Sequence, residues 1–141
     1  MIEKMKSLVR QQDMCVLATV GSQKPHCSLM AYLTEDACSD IYLVTRRNSQ
    51  KFINLSQNTA VSLLIDTRGN QERGRIQAVT VAGDYVPIDE EALKERIHKK
   101  FLSAHPHLED LINHPETEIL RIRIRSFLLL DGPTEAYFEI F

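Results

Sequence analysis

Apolar residues fall into short runs along this chain, rich in β-branched side chains and separated by polar turns. Runs of this length and composition are typical of β-strands. Glycine marks two features among them, a turn at Gly21 and a bulge or bend at Gly83, and a polar loop is predicted over 67–74. The pattern predicts strands over residues 14–20, 25–34, 41–45, 60–66, 76–86, 118–130 and 134–141.

Helical periodicity is confined to shorter segments. Apolar residues recur every three to four positions from residue 2 to about 12, which predicts an amphipathic first helix. Further helices are predicted over 49–57, over 90–102, where an acidic start and a basic end suit the helix dipole, and around 108–113. Six or seven strands with few helices predict a mainly β fold, a small antiparallel barrel with peripheral helices, forming one domain over residues 1–141.

Composition and charge exclude several classes of protein. The net charge of −2 gives no basic excess of the kind that nucleic-acid-binding proteins carry, so we expect no nucleic-acid partner. No run approaches the ~20 apolar residues of a membrane span, and the charged N-terminus lacks the apolar core of a signal peptide. Three cysteines without a CxxC pair are typical of reduced thiols. We therefore expect a soluble, cytoplasmic protein that does not interact with membranes.

The most informative chemistry lies where the third predicted strand meets the second predicted helix. Hydroxyl groups from Thr45 and Ser49 and positive charge from Arg46 and Lys51 collect at the start of that helix. A helix N-terminus has unpaired N–H groups and the positive end of the helix dipole, so it suits a phosphate. The cluster predicts an anion site for a cofactor phosphate. The alternative interpretation is that these cations are solvated side chains near a turn.

Four motifs follow one another between residues 15 and 86. They are Leu-Ala-Thr-Val at 17–20 before Pro-His-Cys-Ser at 25–28, a Thr-x3-Ser-x-Lys spacing that begins at Thr45, Asn-x-x-Val-Ser-Leu-Leu at 58–64, and the apolar run that ends in Gly83. Together they resemble the FMN-binding split barrel of the pyridoxamine 5'-phosphate oxidase-like superfamily. The Thr-x3-Ser-x-Lys spacing is the one found at the FMN phosphate in that superfamily.

This resemblance implies a six- to seven-stranded antiparallel split barrel with FMN at the interface of a homodimer. It also implies that the second strand lies along the isoalloxazine ring. Strand alternation then predicts that Ser28, Met30 and Tyr32 face one side and Leu29, Ala31 and Leu33 the other. The predicted cofactor-binding residues are Ser28, Leu29 and Met30 on the ring strand and Val44, Thr45, Ser49 and Lys51 at the phosphate, with Arg46 added for its charge.

The chain also departs from the family pattern. True pyridoxamine phosphate oxidases carry Arg and Lys on the ring strand where this chain has Ser28 and Leu33. Their glutamine on a later strand falls on Ala78, and Gln77 is one residue out of register, which would turn its side chain to the other face. The family's Trp-rich C-terminus and Arg-x-His substrate motif are absent, and the chain has no Trp. Vitamin B6 oxidase activity is therefore not expected, and Arg46 is interpreted as compensating for the missing cations.

The predicted function is a small FMN-dependent oxidoreductase that uses a small-molecule substrate or electron donor; no catalytic residue is identified. One alternative is a haem-binding or haem-degrading split barrel, with His26 or His105 as the axial ligand. Another is a non-enzymatic module that binds flavin. The same barrel can also take a deazaflavin in place of FMN.

Two further groups of residues are candidates for a functional role. His105 and His107 lack the Cys or carboxylate spacing that would complete a metal site, so none is predicted. Arg121, Arg123 and Arg125 alternate with isoleucines and therefore share one face of a strand. That face is predicted to be exposed, opposite the core, and the alternative is a contact with flavin or substrate across a dimer interface.

Overall fold

The computed structural model describes residues 1–69 and 72–141; residues 70 and 71 of the predicted polar loop lie outside this description. Short 3-10 turns occur at Arg73–Arg75 and Pro106–Leu108. The helices are α1 (Ile2–Gln11), α2 (Gln50–Gln57), α3 (Glu91–Ala104) and α4 (Glu109–Ile112). The strands are β1 (Met14–Gly21), β2 (Lys24–Ala31), β3 (Leu33–Thr34), β4 (Asp40–Arg46), β5 (Ala60–Asp66), β6 (Gln77–Tyr85), β7 (Thr117–Asp131) and β8 (Glu135–Ile140).

Within the described residues, the strands form one curled antiparallel sheet of eight in the order β2-β1-β5-β6-β7-β4-β3, with β8 paired to β7. The mainly β fold with peripheral helices is as predicted. The count exceeds six or seven because the strand predicted over 25–34 is interrupted at Tyr32. The Tyr32 N–H bonds to Asp13 O at 2.9 Å, and its buried hydroxyl donates to Val9 O at 2.5 Å. Tyr32 thus separates β2, which pairs with β1, from β3, which pairs with β4.

Two apolar clusters hold the sheet and helices together. The larger one fills the inside of the curled sheet, where α1 contributes Met5, Leu8 and Val9 from its predicted apolar face. The second lies between β4 and the pair α3–α4 and includes Val44 and Phe101. Each fully buried large side chain of this kind contributes roughly 1.5–3 kcal/mol relative to exposure. The second cluster therefore fixes α4 against the end of β4.

Two glycines are required by close contacts. The sheet register shifts between Ala82 and Gly83, which confirms the predicted bulge. A Cβ at Gly83 would lie 2.7 Å from the Arg123 carbonyl oxygen, so only glycine fits there. The predicted turn at Gly21 is present, but its left-handed residues are Ser22 and Gln23. Gly21 itself is required because a Cβ there would clash with the side chain of Asn54 on α2.

One face of the sheet is turned away from the main core, and we call it the outer face. Strand pairing brings its residues into register across six strands. Most of these residues are apolar, and Asp66 at the end of β5 is charged. Leu29, Phe138 and Ile140 are 69%, 59% and 76% exposed. A solvated sheet face normally carries polar side chains, so this composition is unusual for a surface in water. The outer face includes Met14, Val16, Ala18, Cys27, Leu29, Ala60, Ser62, Leu64, Asp66, Ala78, Thr80, Ala82, Ser126, Leu128, Leu130, Ala136, Phe138 and Ile140.

The three alternating arginines of β7 each have an intramolecular partner. Arg123 and Arg125 are exposed, as predicted, and pair with Asp40 and Asp84 on the neighbouring strands. Arg121 is an exception, since its side chain is only 12% exposed. It donates to the carbonyl oxygens at positions 86 and 87 at 3.2 and 3.0 Å. These arginines tie strand ends and the β6–α3 connection together.

Glu35, just after β3, joins the sheet to α3 through three charge-assisted hydrogen bonds. Arg96 donates to both carboxylate oxygens at 2.9 Å, and Lys100 donates at 2.5 Å. The hydrogen bonds from Arg96 and then from Lys100 lower the pKa of Glu35 to about 2. A carboxylate whose folded pKa is lowered stabilises the fold above its unfolded pKa, and the contribution is lost as pH falls through the folded pKa.

We expect Glu35→Gln to lower the free energy of unfolding by about 1 kcal/mol at pH 7, a figure that allows for solvent screening of partly exposed partners. Urea unfolding at several pH values measures this. The difference between variant and original should shrink as pH falls from about 4.5 to about 2. Glu91→Gln is the matched control, because Glu91 is 79% exposed and lies 3.7 Å from its partner Lys94. Equal effects of the two substitutions would contradict the prediction.

Candidate functional site

A cavity of about 390 Å³ opens where the sheet is split, between β2, the end of β4, the start of α2 and α4. Seven of the eight predicted cofactor-binding residues line it, and the exception is Ser28. The structure therefore brings the two predicted parts of the site, the ring strand and the anion cluster, into one cavity. The lining residues are Met14, Leu29, Met30, Ala31, Val44, Thr45, Arg46, Asn48, Ser49, Lys51, His107, Leu108 and Leu111.

The hydroxyl groups at one end of the cavity are held in place by the helix cap. Ser49 caps α2, and its Oγ accepts the Phe52 N–H at 3.3 Å. The Thr45 hydroxyl is buried and lies 2.9 Å from Ser49 Oγ. Because only one N–H of the first turn is capped, the backbone N–H groups of Gln50 and Lys51 remain available to a ligand. This end of the cavity thus combines two fixed hydroxyls with the positive end of a helix.

Three cations lie near this helix start, and the structure separates them. Arg47 points away from the cavity and pairs with Glu118 at 2.6 Å and Glu116 at 3.1 Å. The hydrogen bond that Arg47 donates to Glu118 is the main reason that the pKa of Arg47 is raised. Arg46 and Lys51 line the cavity and form no ion pair with any residue in 1–69 or 72–141. Positive charge at the cavity is therefore uncompensated.

The free edge of β2 forms a second wall. The Tyr32 N–H donates to Asp13 O, just before β1. In an antiparallel pair every second residue forms backbone hydrogen bonds with the neighbouring strand, so Met30 also bonds to β1. The backbone N–H and C=O groups of Leu29 and Ala31 consequently point away from β1, into the split. The predicted alternation of side chains is also present: Met30 and Tyr32 belong to the main core, and Leu29 is on the outer face.

Ser28 is the predicted residue that the structure does not bring to the cavity. Its side chain is on the core side of β2, opposite Leu17. The Ser28 Oγ is buried and has no hydrogen-bond partner among the residues that the structure describes. It neighbours Leu29 along the strand, so it lies beside the cavity wall and not on it.

The third wall was not predicted. His107, Leu108 and Leu111 belong to the 3-10 turn and short helix that follow α3, and they complete the lining of the cavity. His105 is buried and its Nε2 lies 2.9 Å from the Tyr32 carbonyl oxygen, so it anchors this wall to the β2–β3 connection. No sequence signal relates this segment to β2, because the contact is formed between residues more than 70 positions apart.

The structure changes which histidine could be the axial ligand of a haem bound in the split cavity. His26 lines a different cavity, between the β1–β2 hairpin and α2. The ring nitrogen of His105 is engaged with the Tyr32 carbonyl. Neither predicted axial ligand therefore reaches the split cavity, whereas His107 does.

Other reactive groups lie away from the cavity. Cys15 and Cys38 are buried, Cys27 is on the outer face, and burial raises the pKa of Cys15 to about 12. Across 1–69 and 72–141, no three His, Cys, Asp or Glu side chains are grouped as a metal site would require. No helix in the same residues has the length and apolar character needed to cross a membrane. The split cavity is thus where the described chemistry is concentrated.

Comparison with known proteins assigns the family. A sequence model of the family described as pyridoxamine 5'-phosphate oxidase matches residues 1–131. The chain belongs to this family. Membership confirms the resemblance seen in the motifs between residues 15 and 86, and the curled sheet is the split barrel of pyridoxamine 5'-phosphate oxidase-like proteins. No curated protein matches the chain in sequence.

Three solved structures share this fold. General Stress Protein 26 from Bacillus anthracis has 21% identity and a TM-score of 0.75, with all of both chains covered. A FAD-binding protein from Mesorhizobium loti has 20% identity and a TM-score of 0.74, covering 92% of this chain and 91% of the other. A haem-binding protein from Mycobacterium smegmatis has 15% identity and a TM-score of 0.83; the match covers 96% of this chain but 56% of that longer protein. At these identities the similarity shows the fold alone.

Proposed function

We propose that this protein binds FMN in the split cavity and acts as a small flavin-dependent oxidoreductase in the cytoplasm. One observation carries the proposal: a fixed hydroxyl and cation cluster and an open strand edge line the same cavity. When bound, FMN supplies the redox chemistry, and the protein orients it and adjusts its environment. The three unpaired cysteines support a reducing compartment.

The phosphate end fits an anion in charge and in donors. Thr45 and Ser49 provide hydroxyls, and Arg46 and Lys51 provide charge. Charge-assisted hydrogen bonds contribute roughly 1.5–3 kcal/mol each. No carboxylate is among the lining residues, so nothing there opposes a dianionic phosphate. Arg46 takes the place of the cation that the ring strand lacks at Ser28.

The opposite end fits a planar ring with polar edges. Apolar side chains such as Met14 and Leu29 provide a surface for the ring, and the backbone groups of Leu29 and Ala31 provide hydrogen-bond donors and acceptors along the split. An unpaired strand edge at a cavity supports binding of a heterocycle that carries both carbonyl and N–H groups.

We further propose that the functional unit is a homodimer that packs through the outer face. Leu29 and Met14 belong both to that face and to the cavity lining, so a second copy seated on the face would cover the open side of the cavity. The apolar side chains that run across the six strands of the face support a like partner, since a C2 interface is self-complementary.

The absorption spectrum of the purified protein tests the cofactor. The protein is incubated with excess FMN, freed of unbound ligand, and then assayed with a reduced nicotinamide as electron donor. Retained flavin bands that bleach with the donor are expected. Retained bands that no donor bleaches would favour a non-enzymatic flavin-binding module. A protein that retains no flavin would contradict the proposal, and a deazaflavin would then be tried.

Haem is the second candidate, because the imidazole of His107 borders an open and largely apolar cavity. The haem-binding protein from Mycobacterium smegmatis shares the fold. Incubation with haem under the same conditions separates the two candidates. A retained Soret band together with no retained flavin would replace the FMN proposal with this one.

A further inference from the structure

We propose that His107 donates a hydrogen bond from its imidazole to the isoalloxazine ring of the bound flavin. This inference rests on the proposed function and adds a binding residue that the family motifs do not include. It follows from how the third wall is held, from what the His107 side chain contacts, and from the chemistry of the other lining residues.

The backbone on both sides of His107 is held in place. Before it, the His105 side chain contacts the Tyr32 carbonyl oxygen at 2.9 Å, and the Leu108 N–H donates to His105 O at 3.0 Å. After it, the Thr117 hydroxyl donates to Leu111 O at 2.6 Å. The wall is therefore fixed to the β2–β3 connection at one end and to β7 at the other. A side chain on such a wall has a defined position relative to the edge of β2.

The imidazole of His107 is exposed and lines the cavity. It packs edge-on against the buried ring of His105, with ring centroids 5.9 Å apart. In the part of the chain that the structure describes, no hydrogen bond engages either of its ring nitrogens. Its orientation is thus supported by a neighbouring ring while its polar atoms remain available to a ligand.

The other lining residues divide the cavity by chemistry. Arg46 and Lys51 lie at the hydroxyl end, and Leu108 and Leu111 make the third wall otherwise apolar. His107 is the polar side chain of that wall. An imidazole donates from one nitrogen and accepts at the other when neutral, and it donates from both when charged. A heteroaromatic ring with carbonyl oxygens on its edge is the ligand that this combination fits.

The test compares FMN binding by His107→Ala and His107→Gln with binding by the unmodified protein. Flavin fluorescence gives the dissociation constant, and the visible absorption bands report the environment of the ring. We expect His107→Ala to raise the Kd about 10-fold, the loss that corresponds to one hydrogen bond. Its flavin bands should also shift toward those of free FMN. His107→Gln should recover most of the affinity because an amide also donates. His98→Ala, on α3 and outside the cavity lining, is the control.

The outcomes separate this inference from the proposed function. If the unmodified protein retains no FMN, the proposed function fails and this inference fails with it. If it retains FMN and His107→Ala matches it in both Kd and band positions, only the assignment of His107 is overturned. Thermal unfolding of each variant shows that its fold is intact, and His107→Gln provides the comparison if the alanine variant is destabilised.

Discussion

Replacing Arg46 and Lys51 together by alanine is expected to raise the Kd for FMN at least ~100-fold, with each single substitution raising it about 10-fold. The two side chains supply the uncompensated charge of the cavity, and no carboxylate lining it would be relieved by their removal. Because both are free of ion pairs with other described residues, their loss should leave the melting temperature nearly unchanged. Equilibrium titration of flavin fluorescence measures the effect.

Arg47→Ala provides the matched control for this experiment. It removes the same charge one residue further along the chain, but Arg47 forms ion pairs with Glu116 and Glu118 and points away from the cavity. Its effect on the Kd should be within about twofold. Added salt should weaken binding by the unmodified protein and should have less effect on the double variant, because exposed charges are screened. An unchanged Kd in the double variant would contradict the assignment of the phosphate site.

The second large effect is expected at the outer face. Leu64 lies on the central strand β5, between β1 and β6, and is 38% exposed. In the proposed homodimer, Leu64→Glu would bury one unpaired carboxylate per protomer in an apolar interface, which costs several kcal/mol. We expect the protein to change from a dimer of about 32 kDa, twice the 16.2 kDa of one chain, to a monomer. Analytical ultracentrifugation measures this change.

FMN affinity should fall along with dimerisation if the partner covers the cavity. Ile53→Glu is the control, since Ile53 is 44% exposed on α2 and does not belong to the outer face. It places the same charge on the surface and should leave the protein dimeric. A monomeric unmodified protein, or a Leu64→Glu variant that stays dimeric, would contradict the proposed interface. A monomeric Leu64→Glu variant with unchanged FMN affinity would support the proposed dimer interface but contradict a role for the partner subunit in FMN binding.

Most of the secondary structure followed from local sequence patterns. The strand over 60–66 has the predicted bounds, the second helix starts beside Ser49 as predicted, and Gly83 marks the predicted bulge. The error was the continuous strand over 25–34. Tyr32 breaks it because its N–H and hydroxyl bond to Asp13 and Val9, which a periodicity of apolar residues does not reveal.

The candidate site also has a part that the sequence predicts and a part that it does not. Its phosphate end lies within seven consecutive residues from Thr45 to Lys51, so the sequence alone brings hydroxyls, cations and a helix start together. The sequence does not distinguish Arg46 from Arg47, because the distinction depends on carboxylates some 70 residues away. For the same reason it does not show that His107 lines the same cavity as β2.

The sequence by itself therefore determined most of the strands, the start of α2, the bulge and the anion cluster, because each depends on residues that are neighbours in the chain. Only the tertiary structure decided where the sheet splits, which cation is free and which histidine borders the cavity. It also decided that mostly apolar residues of six strands share one outer face. These features depend on contacts between distant segments, which the curl of the sheet and the packing of α4 against β4 bring together.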